Sequence, residues 1–284
     1  MSYKTILVHA DHSPHLVQRV RAASLAGNNI NTHIVGVAVT GVSHYLRLSE
    51  RTRQQGGQVT DAWHEEVGRL HKSAEAALAR FEDAARAAGL QSFECRLVAD
   101  DELDGLSLHA RYSDLTILTQ WDPDAPAHPM ADDLPEYVAV STGRPVLVLP
   151  HRHEIEVLAD NPLLAWDGSL EATRAVHHAL PLLERAGKVD VLILRHGRKP
   201  TASNDVAGAD IVHYLAHHDI SANVIQERHS HSDIGGALLA CCDTAQSDLL
   251  VMGCYGHSRF QEMLRGGVTL TVLEKMTIPV LMAH

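Results

Sequence analysis

An α/β architecture of two tandem, doubly wound parallel-sheet domains is predicted by three features of this chain. Short apolar runs alternate with helical patterns along its length. The runs are continuously apolar, as strands must be when helices cover both faces of a parallel sheet. The pattern is also written twice. Asp114-Leu115-Thr116-Ile117-Leu118 is answered 134 residues later by Asp248-Leu249-Leu250-Val251-Met252, and at the same offset Pro145-Val146-Leu147-Val148-Leu149 by Pro279-Val280-Leu281-Met282. Upstream, Ile6–Ser13 matches Leu163–Ser169, each an apolar run ending in Asp, then a Ser able to cap the next helix. Repetition of this kind is the mark of a duplicated unit.

The elements follow in order. In the first block strands are expected at 5–10, 33–40, 92–98, 115–119 and 145–149, with helices at 14–26, 60–88, 103–111 and 133–142. Segment 60–88 has the longest period, with Leu70, Ala74, Ala77, Leu78, Phe81, Ala84 and Ala85 on one face and Gly89 as its stop. The second block reads strand 162–166, helix 170–185, strand 188–195, helix 208–217, strand 221–227, helix 233–245, strand 248–252, helix 268–276 and strand 279–283. The polar stretch His151–Asp160, closed by Pro162, sets the expected boundary, giving domains 1–150 and 151–284. The closing strands 145–149 and 279–283 are the best candidates to pair the halves into an internal pseudo-dimer, since each is strongly apolar and ends its block.

Composition narrows the function. The chain has 284 residues and a net charge of −11, which argues against nucleic acid as partner because such binders need a basic face. No apolar run approaches the roughly 20 residues of a membrane span. The first residues pass directly into a strand with no signal-peptide pattern, and Cys95, Cys241, Cys242 and Cys254 form no disulfide framework. A cytoplasmic setting is the expectation.

Ligands of doubly wound sheets bind beyond the carboxyl ends of the strands, where strand order reverses. Asp11, Asp167 and the turn Gly253-Cys254-Tyr255-Gly256 all fall at such ends. Gly266-Gly267-Val268-Thr269 follows the turn and heads the helical segment 268–276. Glycine turns bring backbone N–H groups close to an anion, and a helix start adds unpaired amides and the positive end of its dipole. Two amide-rich turns one spacing apart suit the phosphates of a nucleotide.

Gly253-x-x-Gly256, nine residues, Gly266, then a small residue resembles the ATP-binding signature of the universal stress protein family, and the resemblance covers essentially the whole chain as two copies. It implies a Rossmann-like, nucleotide-binding fold and a regulatory stress-response protein with ATP, alone or with Mg²⁺, as ligand. In that family the Asp ending the first strand contacts adenosine, backbone at the end of the second strand contacts adenine, and the glycine motif holds ribose and phosphates. Here the first role falls to Asp167, with Ser169 beside it, and the second to the backbone near Arg195-His196. Gly253, Gly256, Gly266, Gly267, Val268 and Thr269 take the third, and His257 is placed to pair with a phosphate. One position departs from the pattern: Gly267 stands where Ser or Thr is usual, which removes a hydroxyl but keeps the amide, so weakened binding is expected. The family's symmetric assemblies imply a homodimer as well.

The first block serves as an internal control. At the same offset Gly253 becomes Thr119, Gly256 Asp122, Gly266 Asp132, Gly267 Asp133 and Thr269 Pro135. A carboxylate beside a phosphate costs on the order of a few kcal/mol, so this block is expected to be degenerate and to bind no triphosphate.

Other features carry less. His9-x-Asp11-His12-x-x-His15, His229-x-His231-x-Asp233 and His151-Arg152-His153 have spacings compatible with Zn²⁺ or Ni²⁺, but a strand guarantees no third ligand and surface histidines explain them as well. Cys254 lies in the phosphate turn, where a lowered thiol pKa would allow redox sensing, or else points into the core. Arg259 and Arg265 flank the glycines, and Ser43–Thr60 is long for a βα connection. Two rival readings stay open: a slow ATPase or nucleotide hydrolase, for which Asp167 and His257 are the only evident groups, and a stress protein holding a metal or another small ligand in the first pocket. No Walker Lys-Ser/Thr pair follows the glycines.

Overall fold

A computed structural model describes residues 2–27, 31–43, 61–124, 133–196, 202–229, 233–256 and 267–284. Among these the order is β1 (Thr5–His9), α1 (Leu16–Ala26), β2 (His33–Val39), α2 (Asp61–Ala87), β3 (Phe93–Val98), α3 (Glu102–Ala110), β4 (Leu115–Thr119), α4 (Leu134–Thr142) and β5 (Val146–Leu149). The second pass runs β6 (Pro162–Ala165), α5 (Leu170–Leu183), β7 (Val189–His196), α6 (Ala202–Ala216), β8 (Ala222–His229), α7 (Ile234–Ala245), β9 (Leu249–Gly253), α8 (Val268–Lys275) and β10 (Val280–Ala283). Every element expected from the sequence is present. The largest shift is α6, which begins six residues ahead of its expected start.

By packing the chain forms two compact units. The N-terminal unit comprises Tyr3–Leu118 and Asp122–Thr142. Its strands lie in the order β3-β2-β1-β4, all parallel. The C-terminal unit gathers Gly143–His284 together with Thr119–Trp121. Its order is β5-β10-β9-β6-β7-β8, parallel throughout except for β5. The two closing runs therefore pair with each other, antiparallel, with Val280 opposite Val148 and Met282 opposite Val146. Gln120 ties this region together: its N–H donates to Leu149 O at 2.8 Å, its Nε2 to Leu273 O at 2.6 Å, and its Oε1 faces His151 Nδ1 at 2.9 Å.

The duplication persists at the level of single hydrogen bonds. Asp114 Oδ2 accepts the amides of Lys4 and Thr5 at 2.7 and 3.1 Å, tying down the entry to β1. Its repeat counterpart Asp248 accepts the amides of Asp160 and Asn161 at 2.7 and 2.9 Å, just ahead of β6. A carboxylate that collects two otherwise unpaired strand-entry amides fixes where each block starts.

Packing follows the predicted faces. In α2, Ala74, Ala77, Leu78, Phe81 and Ala85 are buried and Gly89 ends the segment at φ 71°, a left-handed conformation that favours glycine. Phe81 lies across β2 at Gly36, where a Cβ would overlap its ring. Among the described residues no helix is long and apolar enough to cross a membrane.

Candidate functional site

In the C-terminal unit strand order reverses at β6, which has β9 on one side and β7 on the other. A cavity of about 300 Å³ opens at the carboxyl ends of these strands. Ala165 and Trp166 from the end of β6, Leu192 and Leu194 from β7, and Met252 and Gly253 from β9 form its base. Asp167, Ser169 and Glu171 border it from the start of α5, Ile234 and Leu238 from α7, and Val268 and Thr269 from the start of α8. Sequence positions far apart are thus brought to one crevice, as the switch-point rule requires.

Asp167 is exposed, and its Oδ1 accepts the Ser169 amide at 2.9 Å. Ser169 is the N-cap of α5, its Oγ accepting the Ala172 amide at 3.1 Å. Its Oγ therefore has a structural duty as acceptor, as does Asp167 Oδ1, while the Ser169 O–H can still donate and Asp167 Oδ2 can still accept. Gly168 between them has φ 75° and makes that turn possible without strain.

The glycine turn works differently from its sequence reading. The left-handed residue in it is Tyr255, at φ 57°, while neither Gly253 nor Gly256 needs a positive φ. Gly253 is required by close packing: a Cβ there would lie 2.6 Å from Ala172 N and 2.7 Å from the carbonyl carbon of Glu171. Gly256 faces the Glu171 carboxylate instead, 2.7 Å from Oε2 to the point its Cβ would take. Gly267 caps α8 in an extended conformation, accepts the Thr271 amide at 3.0 Å, and supplies no side-chain cap. Among the described residues the first amides of α8 have no acceptor of their own; they lie beside the cavity, where Thr269 is almost fully buried. His257 and Gly266 lie outside the described residues, as do Asp132, Arg259, Arg265 and most of Ser43–Thr60. His196 ends β7, with its side chain outside the description; among the described residues β7 reaches the cavity through Leu192 and Leu194.

Two contributors were missed in the sequence. Glu171 lies on the first turn of α5 and reads as an ordinary solvated helix residue. Trp166 reads as the end of a buried strand, yet it lines the cavity and its indole Nε1 is buried with no acceptor among the described residues. An unpaired buried donor is destabilising by about 1–3 kcal/mol, so a ligand acceptor there would be favoured.

In the equivalent region of the N-terminal unit the described polar side chains pair with one another. Asp11 pairs with Arg19, whose side chain is only 3% exposed, and accepts the Ser13 hydroxyl at 2.8 Å. Ser13 was expected to cap α1; its hydroxyl is drawn to Asp11 instead, and His15 takes the N-cap position without a side-chain cap. His15 Nε2 donates to Asp122 Oδ2 at 2.7 Å, and His9 Nε2 lies 3.4 Å from Glu102 Oε1. His12 is engaged separately with Ser73. Among the described residues no group of three or more His, Cys, Asp or Glu is arranged to hold a metal ion. Cys254 is 1% exposed and packs in the core.

Residues 160–284 match the model of the universal stress protein family. A universal stress protein from Archaeoglobus fulgidus DSM 4304 superposes with a TM-score of 0.71 at 17% identity, covering 98% of this chain and 95% of its own. A protein of unknown function from Pseudomonas aeruginosa PAO1 gives 0.60 at 15%, covering 99% and 92%. A universal stress protein in complex with cAMP covers 53% of this chain and 98% of its own, at 19% identity and a TM-score of 0.37. No curated protein matches the chain.

Proposed function

We propose that this chain, whose residues 160–284 form a universal stress protein domain, binds one adenine nucleotide in its C-terminal unit and acts as a regulatory module. Asp167 takes the adenosine part, the apolar floor of Leu192, Leu194 and Met252 takes the base, and the amides at Gly256 and at the start of α8 take phosphate. The observation that carries this reading is convergence: the free side of Asp167, the amides heading α8, unpaired among the described residues, and the buried Trp166 donor all border one cavity at the strand switch point. The internally paired counterpart in the N-terminal unit supports its being a degenerate half, within domains proposed at 1–150 and 151–284. Isothermal titration with adenosine, AMP and ATP, the last with and without Mg²⁺, tests the proposal. Saturable binding of one ligand per chain is expected, and no heat with any of them up to millimolar concentration refutes it.

A further inference from the structure

Glu171 stands in the second repeat where His15 stands in the first, each four residues after the Asp that ends the opening strand. The positions opposite them also correspond, Asp122 and Gly256 being 134 residues apart. In the N-terminal unit the two meet as a His15–Asp122 pair at 2.7 Å. In the C-terminal unit Glu171 Oε2 comes 2.7 Å from the Cβ point of Gly256. The contact is the same, but the charges are not. The first repeat places a base against an acid; the second leaves a single carboxylate facing bare backbone.

That carboxylate borders the cavity, and among the described residues it has no hydrogen-bond or ion-pair partner. A phosphate chain laid along Gly256 and the start of α8 would run beside it. Charges in a half-enclosed cavity are screened far less than in bulk water, and every added phosphate adds to the repulsion. Adenosine adds none. We infer that Glu171 makes this cavity select its adenine ligand by charge, taking the nucleoside or monophosphate in preference to the triphosphate. The inference rests on the adenine-nucleotide reading above and names the ligand class within it.

The test is titration of adenosine, AMP and ATP without divalent cation against the full chain, in wild type, Glu171→Gln and Glu171→His, with melting curves to verify folding. In wild type ATP should bind at least about tenfold more weakly than adenosine. Glu171→Gln should recover most of that difference, with ATP affinity changing far more than adenosine affinity. Glu171→His, which writes the His15 residue type into the second repeat, should bring ATP level with adenosine or below it in Kd. An ATP-to-adenosine ratio that is the same in all three proteins overturns the charge selection and leaves nucleotide binding standing. ATP binding that strengthens with Mg²⁺ in wild type and weakens in Glu171→Gln would make Glu171 a cation holder, which also overturns it. No binding of any ligand to any variant overturns both this inference and the reading beneath it.

Discussion

Arg19 and Ala175 occupy the same place in the two repeats, eight residues after Asp11 and Asp167, and both are buried. Arg19 reaches back to neutralise Asp11. Ala175 cannot reach anything, so Asp167 stays open to solvent. One position thus separates a carboxylate consumed by its own fold from one left free for a ligand.

Removing that guanidinium should reveal a pH-dependent debt to it. Burial alone would raise the Asp11 carboxyl, but Arg19 and His9 beside it, with the hydrogen bonds from Ser13 and Arg19, outweigh burial and hold it well below the usual carboxylate range. A carboxyl depressed on folding contributes stability that is fully present above its unfolded value near 3.9 and is lost as pH falls below it. Arg19→Met should therefore destabilise the chain by about 2–3 kcal/mol at pH 7, with the gap to wild type narrowing below about pH 4. Urea unfolding at pH 7 and pH 3 measures both. An equal gap at the two pH values would assign Arg19 a packing role only.

The two glycines of the turn should fail in different ways. At Gly253 an added methyl meets backbone, which cannot move aside, so Gly253→Ala should lower stability by about 1–3 kcal/mol. At Gly256 it meets the end of a flexible Glu171 side chain, so Gly256→Ala should melt close to wild type. Thermal unfolding of the pair distinguishes them.

Gly256→Asp copies the residue already present at Asp122 but without a His15 to receive it. The new carboxylate would face Glu171 and the proposed phosphate path together. Nucleotide affinity should fall at least tenfold, about 1.4 kcal/mol, against an expected one nucleotide per chain in wild type. A calorimetric stoichiometry of two, or an unchanged Kd in Gly256→Asp, would mean the site lies elsewhere.

The thiols offer an independent check on the core. Cys242 is buried, and burial pushes its thiol up to about 12, while Cys254 is 1% exposed. Cys95 is exposed and Cys241 half-buried. A chromogenic disulfide reagent should titrate Cys95 and Cys241 in the native protein and reach Cys242 and Cys254 only in denaturant. Rapid native reaction at Cys254 would revive redox sensing in the turn.

The strands and helices were legible because apolar runs and period-3.6 faces report burial directly, as Phe81 and Ala85 illustrate. The duplication was legible because Asp114 and Asp248 do the same job at the same offset. What sequence could not supply was the third dimension of the site. Gly253 looked like a phosphate glycine, and only the approach of α5 to β9 reveals a packing constraint. Nothing in the sequence singles out Arg19 or Glu171. Their roles depend on which strand end each helix start faces, and no local pattern encodes that. Ser13 and Ser169 make the same point: both amides donate to the Asp two residues before, yet the Ser13 hydroxyl turns to Asp11, beside Arg19, while that of Ser169 caps α5.

The antiparallel pairing of β5 with β10 sets a timetable for synthesis. All the strands and helices of the N-terminal unit have been made once Thr142 has emerged, and their neighbours are parallel strands already present. β5 follows at once, but its antiparallel partner begins only at Val280. At roughly 5–20 residues per second, a fully apolar Val146–Leu149 edge waits on the order of ten seconds for its partner. Two nascent chains on one messenger carry the same exposed edge during that interval, and each could seal the other's.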